Sequence, residues 1–84
     1  MNEVFIIGKI TTKVEFDFIL NPKYVSISRF KVETIYDKQE INIIAYDEVA
    51  DYVYAKIKHG DIVMISGYIE DDKVILKDIQ IMNR

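Results

Sequence analysis

The chain is dominated by residues that resist helix formation. Of its 84 residues, 16 are Ile and 8 are Val, whereas Leu and Ala number 2 and 3. Branching at Cβ restricts χ1, disfavours helix and suits the pleated surface of a sheet, so this mix predicts mostly β structure. Six Tyr and four Phe push the same way. A chain this short buries only about 60% of its unfolded surface, and residues 1–84 are expected to form a single domain. With no Cys and one His, no disulfide framework, thiolate cluster or His-rich metal site is expected. Stability must then come from an apolar core or from association. No apolar run reaches the 18 or so residues of a membrane span, and Met1-Asn2-Glu3 lacks the basic start of a signal peptide. The expectation is a soluble, cytoplasmic protein with no membrane partner.

Periodicity divides the chain. Val4 to Ile7 is a continuous apolar run, the pattern of a strand covered on both faces, and Gly8 follows. From Lys13 to Leu20, Val14, Phe16, Phe18 and Leu20 alternate with Lys13, Glu15, Asp17 and Ile19, a half-buried strand. Asn21-Pro22-Lys23 turns the chain. Between Tyr24 and Tyr36 the apolar phase changes from Val25 and Ile27 to Phe30 and Val32, which predicts a bulge near Ser28 and Arg29. After a turn at Asp37-Lys38, Ile41, Ile43 and Ala45 oppose Asn42, Ile44 and Tyr46. The period then becomes helical from about Asp47 to Lys58. Asp47 is the expected N-cap, Val49, Ala50, Val53 and Ile57 form the apolar stripe, and Gly60 is the stop. Ile62 to Ile69 and Val74 to Met82 read as strands joined by Asp71-Asp72, the second bulged at Lys77-Asp78.

The order is three strands, one helix and two strands, with the first strand long and bent. Five short strands with a helix between the third and fourth is the layout of an OB-fold, an all-β, five-stranded Greek-key barrel. An SH3-like barrel is the nearest competitor, but it normally lacks a three-turn helix at that place.

Several segments carry a family likeness. Met1-Asn2-Glu3-Val4-Phe5-Ile6-Ile7-Gly8-Lys9-Ile10-Thr11 resembles the opening of bacterial single-stranded DNA-binding (SSB) proteins. Ile43-Ile44-Ala45-Tyr46 with Val49-Ala50-Asp51 is similar to the family's apolar run ending in an aromatic, followed by its helix start. Ile57-Lys58-His59-Gly60-Asp61-Ile62-Val63-Met64-Ile65-Ser66-Gly67 resembles its helix end, next strand and closing glycine, and Asp78-Ile79-Gln80-Ile81-Met82 its final strand. Gly8, Gly60 and Gly67, the only glycines, all fall where that pattern has glycine. The departures are short loops at about Tyr36–Glu40 and Glu70–Lys73 where the family has long arms, the lack of any Trp, and no acidic tail after Asn83-Arg84. The likeness is therefore to a minimal, tail-less relative, with the similarly short primosomal replication protein as a second comparison.

The resemblance implies a non-enzymatic binder of single-stranded DNA in replication, repair, recombination or mobile-element maintenance, encoded by a bacterium, phage or plasmid. Such binding needs a basic groove and flat aromatics on which bases stack. Tyr46 aligns with the family's stacking aromatic, Tyr36 and Tyr24 flank the second strand and could extend the platform, and Tyr68 is weaker. Among cations on or beside strands, Lys9, Lys13, Arg29, Lys31 and Lys77 are the expected backbone contacts, Lys9 because the resemblance places a nucleotide-facing residue there. Val4, Phe5 and Ile7 are assigned to an oligomer interface, since the family pairs its first strand with that of a second subunit and a homodimer or homotetramer follows. No catalytic residue, metal, cofactor or small-molecule substrate is expected. Asp71-Asp72 is explained by a hairpin tip, His59 by a helix end, and no glycine loop could cradle a phosphate. One property opposes this reading: 11 Lys and Arg face 14 Asp and Glu, a net charge of −3. The alternative is an OB-fold interaction or subunit module with little nucleic-acid binding.

Overall fold

The computed structural model describes residues 2–20 and 22–84. Met1 and Asn21 lie outside the described residues, so of the Asn21-Pro22-Lys23 turn only Pro22 and Lys23 are placed, in a bend. The elements are β1 (Glu3–Ile10), β2 (Glu15–Ile19), β3 (Val25–Thr34), β4 (Glu40–Tyr46), α1 (Asp47–Lys56), β5 (Ile62–Glu70) and β6 (Lys73–Ile81). β1 and β2 are two halves of the long bent strand, because both run antiparallel to β3. Gly8–Ile10 pairs with Val32–Thr34, and Glu15–Ile19 with Val25–Arg29. At the bend the Lys31 N–H donates to Thr12 Oγ1 at 3.0 Å, so a side-chain oxygen stands in for a ladder carbonyl. The sheet order β1-β5-β6-β4-β3-β2, with an added β1–β3 pairing, closes the ring. Counting β1 and β2 as one strand, this is the expected five-stranded OB barrel with its helix between the third and fourth strands.

Closure depends on Gly8, which pairs with Val63 on one side and Thr34 on the other. A Cβ there would lie 2.6 Å from the Glu33 carbonyl oxygen, so β1 could not approach both neighbours with a larger residue. Inside, Ile10, Phe30, Val32, Ile43, Val63, Ile65, Val74 and Leu76 form the core, and Ala50 and Val53 of α1, with Ile57 just after it, pack against it. Each fully buried Val or Ile contributes about 1.5–3 kcal/mol.

Three sequence expectations change. No bulge occurs at Ser28-Arg29, since β3 and β4 pair without a register shift from Ile27 opposite Tyr46 to Glu33 opposite Glu40. Ser26 and Ser28 are the inward residues, continuous in phase with Phe30 and Val32, and both are buried. The small Ser28 lets α1 come close, and its hydroxyl donates to the Ala50 carbonyl at 2.7 Å. Second, Asp47 is not the cap: Tyr46 occupies that position with no side-chain cap bond, and Asp47 begins the helix at φ 55°. The chain thus changes direction within one left-handed residue. The helix ends at Lys56, and Gly60 lies beyond it at φ 94°. Third, β1 is covered on one face only. Val4 and Ile6 pack on the core, whereas Phe5 is 69% exposed. The other bulge is present in β6, where Ser66 opposes Asp78 and Gly67 opposes Leu76, leaving Lys77 unpaired.

Asp61 ties the helix end to the end of the chain. Its Oδ2 accepts from the Lys58 N–H at 2.8 Å and from Arg84 at 2.9 Å, and Arg84 also donates to the Lys56 carbonyl at 2.6 Å. The hydrogen bond from Arg84, helped by the Lys58 N–H, holds the Asp61 carboxyl below its ordinary range despite burial. No helix among the described residues is long and apolar enough to cross a membrane.

Candidate nucleic-acid interface

Strand register assembles one groove on the outside of the barrel. Directly opposed residues share a face, so the β3–β4 pairs Ile27/Tyr46, Arg29/Ile44 and Lys31/Asn42 point outward together. β2 adds Glu15 beside Arg29. The parallel β4–β6 pairing brings Lys73 level with Asn42. With Thr12 and Lys13 from the bend and Tyr54 from α1, these residues line a groove of about 1130 Å³.

The floor and rim differ in chemistry. Ile27 and Ile44 lie on the outer face of the barrel yet are buried, giving an apolar floor, and Tyr46 stands at one end, 36% exposed. Four cations, Lys13, Arg29, Lys31 and Lys73, line the groove with one carboxylate, Glu15. Asp17, opposite Ile27, and Glu40, beside Lys31, share this face, so with Glu15 three carboxylates meet four cations. The excess is still positive, against the sign of the whole chain, and a concave low-dielectric wall strengthens such a field. Lys31 lies 3.7 Å from Glu40, with both side chains about half exposed, a pairing worth about 0–1 kcal/mol and easily exchanged for a phosphate. Among the described residues, Lys13, Arg29 and Lys73 have no salt bridge. An apolar floor with an aromatic end accepts planar rings, and unpaired cations on the rim accept phosphates.

Of the residues expected from sequence, the structure brings Lys13, Arg29, Lys31 and Tyr46 together and leaves three outside. Lys9 is exposed on β1 opposite Glu33 and does not line the groove. Lys77 sits at the β6 bulge and does not line the groove. It lies 3.5 Å from Glu3 and 5.8 Å from the centre of the Tyr68 ring. Tyr36 is not on a strand: it projects from the β3–β4 turn, 88% exposed, a turn held by the Gln39 N–H on Thr34 Oγ1 at 3.0 Å. Lys73, Asn42 and Tyr54 were not legible as groove residues, because each reaches it through non-local pairing or packing. The outward phase of Ile44 beside Asn42 and Tyr46 was the available signal for the apolar floor.

A second exposed feature lies on β1. Asn2 O accepts from the Ile69 N–H at 2.8 Å, toward β5, and Ile7 O accepts from the Ile35 N–H at 3.1 Å, toward β3. Alternate residues of a strand address opposite edges, so Glu3 and Phe5 direct their backbone groups to the β3 side, where pairing starts only at Gly8. Val4 has the other parity: its side chain meets the core and its backbone faces β5. Of the three expected interface residues, Phe5 and Ile7 therefore point outward, and Val4 packs toward the core on the same strand.

The barrel superposes on solved structures. The SSB domain of a Synechococcus protein aligns with a TM-score of 0.83 at 10% identity, covering 95% of this chain and 94% of that one. The fold is an SSB-like OB-fold. The wild-type single-stranded DNA binding protein from Thermus aquaticus aligns at 0.88 and 17% identity, covering 100% of this chain and 41% of that one. A deletion mutant of the Thermus protein gives 0.87 and 16%, with 42% of its chain covered. The SSB-like chain thus spans well under half the length of the Thermus proteins. No protein-family model and no curated protein matches the sequence.

Proposed function

We propose that this protein binds single-stranded DNA without catalysing a reaction, by stacking bases at Tyr46 over the Ile27–Ile44 floor and holding the backbone with Lys13, Arg29, Lys31 and Lys73. The observation that carries this is the reversal of charge on the groove face: four cations against three carboxylates in a chain of net charge −3. The likeness of the fold to SSB domains supports the same reading. The binder works in the cytoplasm, in replication, repair, recombination or mobile-element maintenance, and needs no cofactor or small-molecule substrate. Phe5, Ile7 and the open β1 edge pair it with a second copy, giving a homodimer or a homotetramer. The same open edge and the 14 carboxylates favour, as a second reading, a subunit module with little nucleic-acid affinity.

Fluorescence anisotropy of labelled oligo-dT at low salt separates the two. Binding that weakens about five-fold or more in Tyr46→Ala, from the loss of one stacked base, with little change in melting temperature, supports the groove. No anisotropy change at tens of micromolar protein removes the DNA-binding reading and leaves the subunit module.

A further inference from the structure

The β2–β3 hairpin carries an aromatic surface that the groove does not use. On β2, Glu15, Asp17 and Ile19 face the groove side, so Phe16 and Phe18 face the other way, toward α1. Phe18 stacks on Tyr24 with ring centroids 5.5 Å apart and planes 27° apart, and Phe16 packs on Tyr54 of α1 at 4.7 Å. Phe18 is 49% exposed, Tyr24 56% and Tyr54 57%. A core has no use for rings in that state. Each ring is already held by its neighbour, so a planar ligand would find an ordered platform and lose little side-chain entropy on binding.

Two observations choose the occupant. Tyr54 lines the groove and also packs on Phe16, so the platform is continuous with the groove around the edge of β2. That edge is free among the described residues, where β2 ends the sheet order and pairs only with β3. It is nevertheless poorly suited to strand addition by a protein: the Phe18 N–H donates to its neighbour Asp17 Oδ1 at 2.8 Å, which occupies a donor an incoming strand would need. Lys23, exposed and adjacent to Tyr24 in the chain, adds a cation to this hairpin.

We propose that the Phe18–Tyr24 pair is a second stacking station for the same single strand, which leaves the groove past Tyr54 and crosses the free edge of β2. The inference rests on the groove reading and extends it. It requires a strand long enough to cover both surfaces, within the roughly 4–16 nucleotides occupied on one OB barrel.

The test uses two lengths of oligo-dT, about five and about fifteen nucleotides, and a reporter that a purely structural role would not move. The chain contains no Trp, so Tyr24→Trp puts a single indole at the station. The long oligonucleotide should quench its emission and the short one should not. Phe18→Ala with Tyr24→Ala should lower affinity for the long oligonucleotide about five-fold or more, leave the short one unchanged and preserve the far-UV spectrum. Short-oligonucleotide binding with no quenching by the long one overturns the second station and leaves the groove standing. Equal losses for both lengths, with a fall in melting temperature, assign the pair to stability and also overturn it. Failure of both lengths to bind the unmodified protein overturns the groove reading, and this inference with it.

Discussion

Salt dependence gives the groove its sharpest quantitative test, through Arg29→Gln. Four cations line the groove, and each phosphate neutralised on a single strand adds about −0.7 to the slope of log affinity against log salt. Four contacts give a slope of about −2.8, a loss of roughly fifty-fold between about 50 and 200 mM salt. Removing one leaves a slope of about −2.1 and a loss of roughly twenty-fold over the same range. Arg29 is the informative choice because it sits opposite Ile44 at the middle of the groove and makes no salt bridge among the described residues, so its loss strands no partner. Its guanidinium is exposed, and the glutamine keeps a similar stem. Anisotropy titrations of labelled oligo-dT across the salt range measure both slopes. An unchanged slope in Arg29→Gln would mean that Arg29 touches no phosphate. A flat slope in the unmodified protein would refute the electrostatic half of the account, however tight the binding.

Three other outcomes follow from the geometry. Gly8→Ala puts a methyl against the Glu33 carbonyl at the barrel closure, and should destabilise by about 1–3 kcal/mol in chemical denaturation. An unchanged midpoint would show that β1 can move away from β3 without cost. Asp61→Asn removes a carboxylate whose folded pKa is lowered, chiefly by the Arg84 hydrogen bond. The stability of that clasp is present above the unfolded carboxylate value of about 4 and is lost as pH falls through the lower folded value. The variant should therefore melt a few degrees lower at neutral pH, with the gap closing in acid; a gap constant with pH would deny the clasp. Phe5→Lys should turn the assembly into a 9.9 kDa monomer in light scattering, whereas an unmodified protein that already scatters as a monomer would remove the interface at Phe5 and Ile7.

How far the fold could be read depended on whether local pattern or distant packing decided each element. The barrel was legible because Ile and Val alternate along short segments and a single helical window interrupts them. The phase of β3 was misread because Ser26 and Ser28 point inward; an apolar count sees a shift there, whereas the reason is the close approach of α1, answered by the Ser28–Ala50 hydrogen bond. On β1, four apolar residues in succession read as a strand covered twice, yet among the described residues no element covers Phe5. In the groove, Tyr46 was accessible through the family resemblance, and Arg29 and Lys31 through their place on the central strand. Lys73 was not, because the β4–β6 pairing that places it next to Asn42 joins residues 31 positions apart. Lys77 was misplaced because the bulge was foreseen but not its neighbours beyond it, Glu3 of β1 and Tyr68 of β5.

The central claim is that one face of this barrel, and not the chain's overall charge, governs binding. Amide chemical-shift mapping with a short oligo-dT tests it most directly, because each residue reports separately. The account predicts saturable shifts concentrated at Lys13, Arg29, Lys31, Asn42 and Tyr46, with the indifferent face marked by Lys9 and Lys77. Shifts centred instead on Phe5, Lys9 and Lys77, or shifts absent from β3 and β4, would contradict it.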